Sequence, residues 1–357
     1  MPTPVSALIH AATMVYRLSC QRIEEKLFYM SFDICWDLFI IFKMIVKVLQ
    51  YNLIKMKGNQ QELLEKKNNS SEIDSEINFI FDYYYKFYNN ENINKDGNSP
   101  SPSPSPSSFL EWFIGFTEGD GSFIVSKEKV YFDITQKIDD IQVLYYIRKE
   151  LGFGKVLCRK ESHRRVGVFY VSSKENYLKL IHIFNGNLCS IYRDKQFKLW
   201  LNAFNKQYKE NIKYIDKRVV PCLNTAWLSG FIDAEGSFSG RIKYCRTSIL
   251  RKAPHLSLTI CQKEYFILSL IRKLFIDKDK CISYDKSWKG WRLQIASFKV
   301  LTIVIDYINR YSLKTKKKGA YLKFVELHNK IIKKEHLTLS GIENLEKLMP
   351  LINQNKI

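Results

Sequence analysis

The sequence predicts an α+β fold made of two pseudo-symmetric αββαββα units. Three observations predict it. A ten-residue phrase occurs twice, as Trp112-Phe113-Ile114-Gly115-Phe116-Thr117-Glu118-Gly119-Asp120-Gly121 and as Trp227-Leu228-Ser229-Gly230-Phe231-Ile232-Asp233-Ala234-Glu235-Gly236. Each copy runs on into Ser-Phe, at Ser122-Phe123 and Ser237-Phe238, and the final acids Asp120 and Glu235 stand 115 residues apart, about one small domain. The same order of helix and strand patterns then follows each phrase, which marks a duplicated unit.

The first phrase reads as a helix over about 109–119 that ends at glycine. Strands follow near 121–127 and 130–137, where Phe132 and Ile134 alternate with Tyr131, Asp133 and Thr135. A helix at 139–151, strands near 154–161 and 165–172, and helices near 174–184 and 194–205 complete the unit. The second unit repeats this over 223–234, 236–244, 255–262, 264–275, 280–286, 290–296, 298–309 and 316–333. Its first strand alternates Phe238, Gly240 and Ile242 with Ser237, Ser239, Arg241 and Lys243; the next alternates Leu256, Leu258 and Ile260 with His255, Ser257 and Thr259. Gln136-Lys137 and Gln262-Lys263 stand at matching points, where a strand hands over to a helix.

Small residues fall four apart in each motif helix, Gly115 with Gly119 and Gly230 with Ala234. Four residues is about one turn, so they share a face. A helical glycine costs roughly 1 kcal/mol against alanine, and close packing of the two motif helices is the reason we infer for it. Phe113, Phe116, Leu228 and Phe231 then face the cores of their own halves.

The domain order is a segment at 1–15, a leader at 16–98 that is weakly ordered or partly helical, a spacer at 99–108, the first unit at 109–205, a basic connection at 206–221, the second unit at 222–340 and a tail at 341–357. The spacer, Ser99 to Ser108, alternates Ser and Pro, which forbids helix and favours extended chain. Residues 27–56 are apolar but broken by Asp33, Asp37, Lys43, Lys47 and Lys55, and the longest uncharged piece, Val48 to Ile54, is far short of the ~20 residues that span a bilayer.

Charge is uneven. Residues 1–100 carry 11 Lys/Arg against 12 Asp/Glu, and residues 101–357 carry 45 against 24. The positive excess therefore lies wholly with the repeated motif and predicts a polyanion partner. Eight cysteines form no CxxC pair, and with six scattered histidines no zinc site is expected. Unpaired thiols fit a reducing compartment. No Walker-type loop or HNH-like histidine cluster occurs.

The duplicated phrase resembles the motif of the LAGLIDADG homing endonucleases, in their single-chain two-motif form, over roughly residues 108–340. The resemblance implies that the two units form a DNA-binding saddle. It implies a monomer without an obligate protein partner, acting on double-stranded DNA at an intron-free exon junction. It also implies divalent-metal chemistry, with short 3′ overhangs after cleavage. Residues 1–15 resemble a segment of mitochondrial NADH dehydrogenase subunit 5, as an intron reading frame continuous with its upstream exon would, and this implies a mitochondrial product. The family also contains RNA-binding maturases, so binding to the chain's own intron RNA stays open as the alternative.

Acids at a helix C-terminus oppose the macrodipole, and helix packing would press Asp120 and Glu235 together. A hard cation such as Mg²⁺ resolves both problems. Carried over from the family, Asp120 and Glu235 are the metal-binding catalytic acids, assisted by the carbonyls of Gly119 and Ala234. Gln136 and Gln262 take the place of a glutamine that orders water, and Lys316 that of a lysine near the attacked phosphate. The first half has no lysine in register, with Arg193 or Lys195 as substitutes, so equal action on both strands is not expected. Glu118 and Asp233 are expected to be solvated helix-end acids. On the polar sheet faces the candidates for base reading are Ser126, Arg159, Tyr170, Arg241, Lys243, Arg292 and Gln294. Lys127 could reach a base or a phosphate, and Arg246, Arg251 and Lys252 suit phosphates.

Overall fold

The computed structural model describes residues 79–93, 106–161, 164–275 and 281–353. The exon-like segment 1–15, most of the leader and the Ser-Pro run up to residue 105 lie outside the described residues.

Each unit is a four-stranded antiparallel sheet with helices on one face. In the first, α2 (Ser107–Asp120) leads into β1 (Gly121–Ser126) and β2 (Lys129–Lys137), preceded in the chain by α1 (Asp82–Ile93). After a short 3-10 turn come α3 (Ile141–Leu151), β3 (Lys155–Glu161), β4 (Arg164–Val171), α4 (Lys174–Phe184) and α5 (Ile191–Tyr208). The second has α6 (Trp227–Glu235), β5 (Gly236–Tyr244), β6 (Lys252–Gln262), α7 (Tyr265–Phe275), β7 (Ile282–Asp285), β8 (Gly290–Ile295), α8 (Phe298–Arg310) and α9 (Lys317–Ile332). The sheet orders correspond, β1-β2-β4-β3 and β5-β6-β8-β7. Phe123 faces Phe132 across the first hairpin and Phe238 faces Leu258 across the second. Most boundaries agree with the sequence reading to within two residues. The α5 helix starts at Ile191 rather than 194 because Ser190 caps it, its hydroxyl accepting from the Arg193 N–H.

The cores differ in kind. The first is aromatic, with Phe113, Phe123, Phe132, Phe184, Phe197 and Trp200 buried and in mutual ring contact. The second is mainly aliphatic, built on Leu256, Leu258, Ile260, Ile267, Leu293 and Leu301 around Phe238 and Phe324. Each such side chain contributes about 1.5–3 kcal/mol by leaving water.

The motif helices α2 and α6 pack directly on each other. A methyl group on Gly115 would collide with the Trp227 carbonyl oxygen, and one on Gly230 with that of Trp112. Only a hydrogen at both positions permits this approach.

The described part of the leader carries α1 and is docked: Phe81 and Tyr84 are buried against the first unit, and Asn187 clamps Ile80, accepting from its N–H and donating to its carbonyl, both at 2.7 Å. One expectation at the chain's other margin is corrected. Residues 341–353 are no tail. Helix α10 (Leu339–Leu348) and the turn after it bury Ile342, Leu345, Met349 and Ile352, the last two beside Gly240 of β5. Apolar residues every third or fourth position drive that burial.

Candidate active site

The crossing of α2 and α6 carries their C-terminal acids to one place. Gly119 abuts Ala234, and a methyl on Gly119 would come within 3.1 Å of the Glu235 side chain. Asp120 accepts from Gln136 Nε2 at 2.7 Å, and Glu235 from Gln262 Nε2 at 3.2 Å. The two glutamines thus stand on the two acids, each from the end of a central strand. Burial raises both carboxyls. Asp120 is lifted against the pull of Gln136, Lys317 and Arg193. Burial and the charge of Asp120 push Glu235 up to about 7, against Lys317 and Arg193.

A cation from each unit reaches the carbonyls beside the acids. Arg193 donates through Nε to the Glu118 carbonyl at 2.9 Å and through Nη2 to that of Gly119 at 2.7 Å. Lys317 Nζ donates to the Ala234 carbonyl at 2.6 Å and lies 3.4 Å from that of Ile232. The lysine expected here was Lys316. That side chain is exposed, and its contribution is a backbone N–H donated to Asp140 at 2.9 Å. The Thr315 hydroxyl accepts the Lys317 N–H and sets the helix phase that turns Lys317 inward. Of the two first-unit substitutes, Arg193 lies in the site and Lys195 is exposed on the flank of the adjoining cleft.

Glu118 and Asp233 are not solvated: their relative exposures are 1% and 2%. Trp227 of α6 donates its indole N–H to Glu118 at 2.5 Å, and Trp112 of α2 donates to Asp233 at 2.9 Å. Each acid also takes up the start of its own unit's closing helix. Glu118 accepts from the N–H groups of Cys189 and Ser190; Asp233 accepts from those of Lys314 and Thr315 and from the Thr315 hydroxyl. Burial pushes Glu118 up to about 7 despite these donors. The signal was in the phrase itself: a tryptophan repeated in an apolar helix has an N–H that needs a partner.

The polar sheet faces hold the base-reading candidates. Ser126, Arg159 and Tyr170 share the outer face of the first sheet, whose register pairs Asp133 with Tyr170 and Arg159 with Val166. Lys127 sits in a two-residue turn in which it and Glu128 take left-handed φ. Arg241, Lys243, Arg292 and Gln294 share the outer face of the second sheet. Arg292 there meets Asp285 at 3.0 Å, and Gln294 donates to Ser257 at 3.3 Å. Arg246 is exposed in the loop beyond β5.

The donors available to a metal are oxygens only: two carboxylates and, next to them, carbonyls already engaged by Arg193 and Lys317. Among the described residues no cluster of three or more His, Cys, Asp or Glu side chains could hold a metal. Two crowded carboxyls with raised proton affinity, and no soft ligand, fit a hard divalent cation that keeps much of its water.

The comparisons agree with this architecture. The solved structure of the LAGLIDADG meganuclease I-CpaMI bound to uncleaved DNA superposes with a TM-score of 0.56, covering 69% of this chain and 99% of that one at 22% identity. The chain is 41% identical over 247 residues to the probable intron-encoded endonuclease 4 of Neurospora crassa, over 69% of this chain but only 44% of that protein's length. It is 29% identical over 184 residues to the intron-encoded RNA maturase bI4 of Saccharomyces cerevisiae, over 51% of this chain and 26% of that protein. The sequence model of the LAGLIDADG endonucleases matches residues 113–204 and 228–328, one match for each unit. With the duplicated motif helices, the two matching sheets and this two-part match, the chain belongs to the LAGLIDADG endonuclease family.

Proposed function

We propose that the chain is a mitochondrial, intron-encoded, site-specific endonuclease that cuts double-stranded DNA as a monomer and so initiates homing of its intron. The observation that carries this reading is the meeting of Asp120 and Glu235 at the crossed helix ends, each with its own glutamine and its own unit's cation. Asp120 and Glu235 would hold a divalent cation such as Mg²⁺, which would supply Lewis acidity for phosphodiester hydrolysis. The chain's residues do the rest. Asp120 and Glu235 would hold the cation as carboxylates. Gln136 and Gln262 fix the orientation of those carboxylates and offer amide groups to water. Arg193 and Lys317 offset the negative charge and steady the carbonyls of Gly119 and Ala234.

The two outer sheet faces would lie in successive major grooves, with base contacts from Ser126, Arg159, Tyr170, Arg241, Lys243, Arg292 and Gln294. Lys127 and Arg246 would meet phosphates. Because the two faces differ in composition, the target is long and asymmetric. The resemblance of residues 1–15 to subunit 5 of NADH dehydrogenase supports the mitochondrial matrix as location and that gene's uninterrupted exon junction as target.

The test is a plasmid carrying that junction, incubated with the protein and Mg²⁺ or with chelator. Mg²⁺-dependent linearisation is expected. A maturase reading draws support from the likeness to bI4. Tight binding of the intron RNA with no cleavage of the plasmid would favour it and overturn the nuclease.

A further inference from the structure

The two cations of the site are held by different means. In the second unit the turn that carries Lys317 is secured from within. The Lys317 N–H donates to the Thr315 hydroxyl at 3.2 Å, and that hydroxyl donates to Asp233 of the same unit at 2.6 Å. In the first unit the equivalent hydroxyl points elsewhere. The Arg193 N–H donates to the Ser190 hydroxyl at 3.2 Å, and Ser190 donates to Glu264 of the second unit at 2.6 Å. Glu264 further accepts from the N–H groups of Ile191 at 3.0 Å and Tyr192 at 3.2 Å. A carboxylate that takes three donors at a helix N-terminus satisfies groups the helix itself leaves open, and it is favoured there by the helix dipole. Glu264 is two residues beyond Gln262, which donates to Glu235. One short segment of the second unit therefore touches its own acid through Gln262 and the other unit's cation turn through Glu264. The converse bridge is slight: Asp140 of the first unit accepts a single N–H, from Lys316.

We propose that Glu264 is a positioning residue that fixes Arg193 from across the unit boundary, so that the first unit's cation turn, which Glu118 holds from within only at Cys189 and Ser190, is fully ordered when the second unit's strand-to-helix segment is in place. The second unit's half leans on the first far less: one N–H of its cation turn, that of Lys316, is held by Asp140, and no first-unit carboxylate takes up the Thr315 hydroxyl. This rests on the nuclease reading for its consequence, which is an order in strand cutting. It does not rest on that reading for the bracing itself.

Two measurements test it on the full chain. Hydrogen–deuterium exchange reads the brace directly, because first-turn helix amides exchange quickly unless capped. In E264A, protection at residues 191–193 should fall while that at 315–317 stays at the wild-type level. E264Q keeps an acceptor and should restore part of the protection. Unchanged exchange at 191–193 in E264A would overturn the proposal. Strand-resolved nicking of the exon-junction plasmid reads the consequence. E264A and S190A should each slow one and the same strand by roughly tenfold, and the double variant should be no slower than either single one. T315A should slow the opposite strand. Equal slowing of both strands by E264A, or slowing of the same strand by E264A and T315A, would also overturn it. A wild-type chain that binds but never cuts removes the nuclease reading, and the exchange experiment still decides the brace.

Discussion

The two halves of the site share a plan and differ in how they carry it out. Features at the helix crossing match: a glycine at each crossing point, a tryptophan that donates to the opposite helix's acid, a glutamine on each carboxylate. Side-chain solutions diverge: Arg193 against Lys317, Ser190 against Thr315, an aromatic core against an aliphatic one. The contrast teaches where duplication leaves freedom. A close helix crossing tolerates nothing larger than hydrogen, so both copies keep glycine. A charge beside a carbonyl can be a guanidinium or an ammonium, so the copies drift.

The sharpest way to break the comparison is at the acids. Asp120→Asn and Glu235→Gln should each abolish linearisation, by about a thousandfold or more in rate, measured as loss of full-length linear plasmid. If only one did, the halves would not be equivalent at the carboxylates. Next come the glycines. Gly115→Ala and Gly230→Ala each drive a methyl into a backbone carbonyl, and each should cost about 3 kcal/mol or prevent folding, read by urea denaturation. A marked difference between them would show that the crossing is less symmetric than its geometry. Arg193→Met and Lys317→Met should then slow opposite strands by roughly ten- to a hundredfold, seen in strand-labelled substrate.

A pH dependence separates the two kinds of buried acid. Glu235 is pushed up to about 7 from 4.5 by burial and by Asp120, and Glu118 up to about 7 by burial. The folded protein thus holds protons that the unfolded chain has released. Stability without metal is full below the ordinary carboxylate range and falls as pH rises toward 7. A divalent cation binds the ionised Glu235 and should offset its share, whereas Glu118, capped by Trp227 and the start of α5, should not respond. Calorimetry at pH 5.5 and 7.5, with and without Ca²⁺, checks this. A melting temperature insensitive to Ca²⁺ at pH 7.5 would remove Glu235 as a ligand. The smallest effect concerns the upstream strap, which has no counterpart on the second unit among the described residues. Asn187→Ala should cost about 1–2 kcal/mol through the lost clamp on Ile80. Removing residues 1–107 should cost more than removing 1–78, since Phe81 and Tyr84 leave with it.

Much of this was legible in the sequence, for physical reasons. The repeated phrase, the four-residue spacing of small side chains and the strict alternation in β2, β5 and β6 are local signals, and the elements they mark are present. Lys317 was missed because three consecutive lysines give no cue to helix phase, and the Thr315 hydroxyl that sets it acts through space. The burial of Glu118 and Asp233 was missed because a helix-end acid looks solvated until two indoles and two helix starts arrive from 71 to 121 residues away. The burial of Tyr84 was not legible because nothing in the leader's own sequence shows what it docks on; its neighbour Ile80 is clamped by Asn187, 107 residues away.

The brace from Glu264 to Ser190 bears on how such chains can be recombined. A chimera that joined this first unit to a second unit from a relative would inherit the glycine crossing if both parents carry it. It would keep a working Arg193 only if the incoming segment also brought a carboxylate two residues after its site glutamine. The reverse chimera, with this second unit under a foreign first one, asks less of its new neighbour: Thr315 and Asp233 travel together, and what must be supplied is the motif tryptophan on Asp233 and a single acceptor for the Lys316 N–H. Exchange of halves should therefore succeed more often in one direction than in the other.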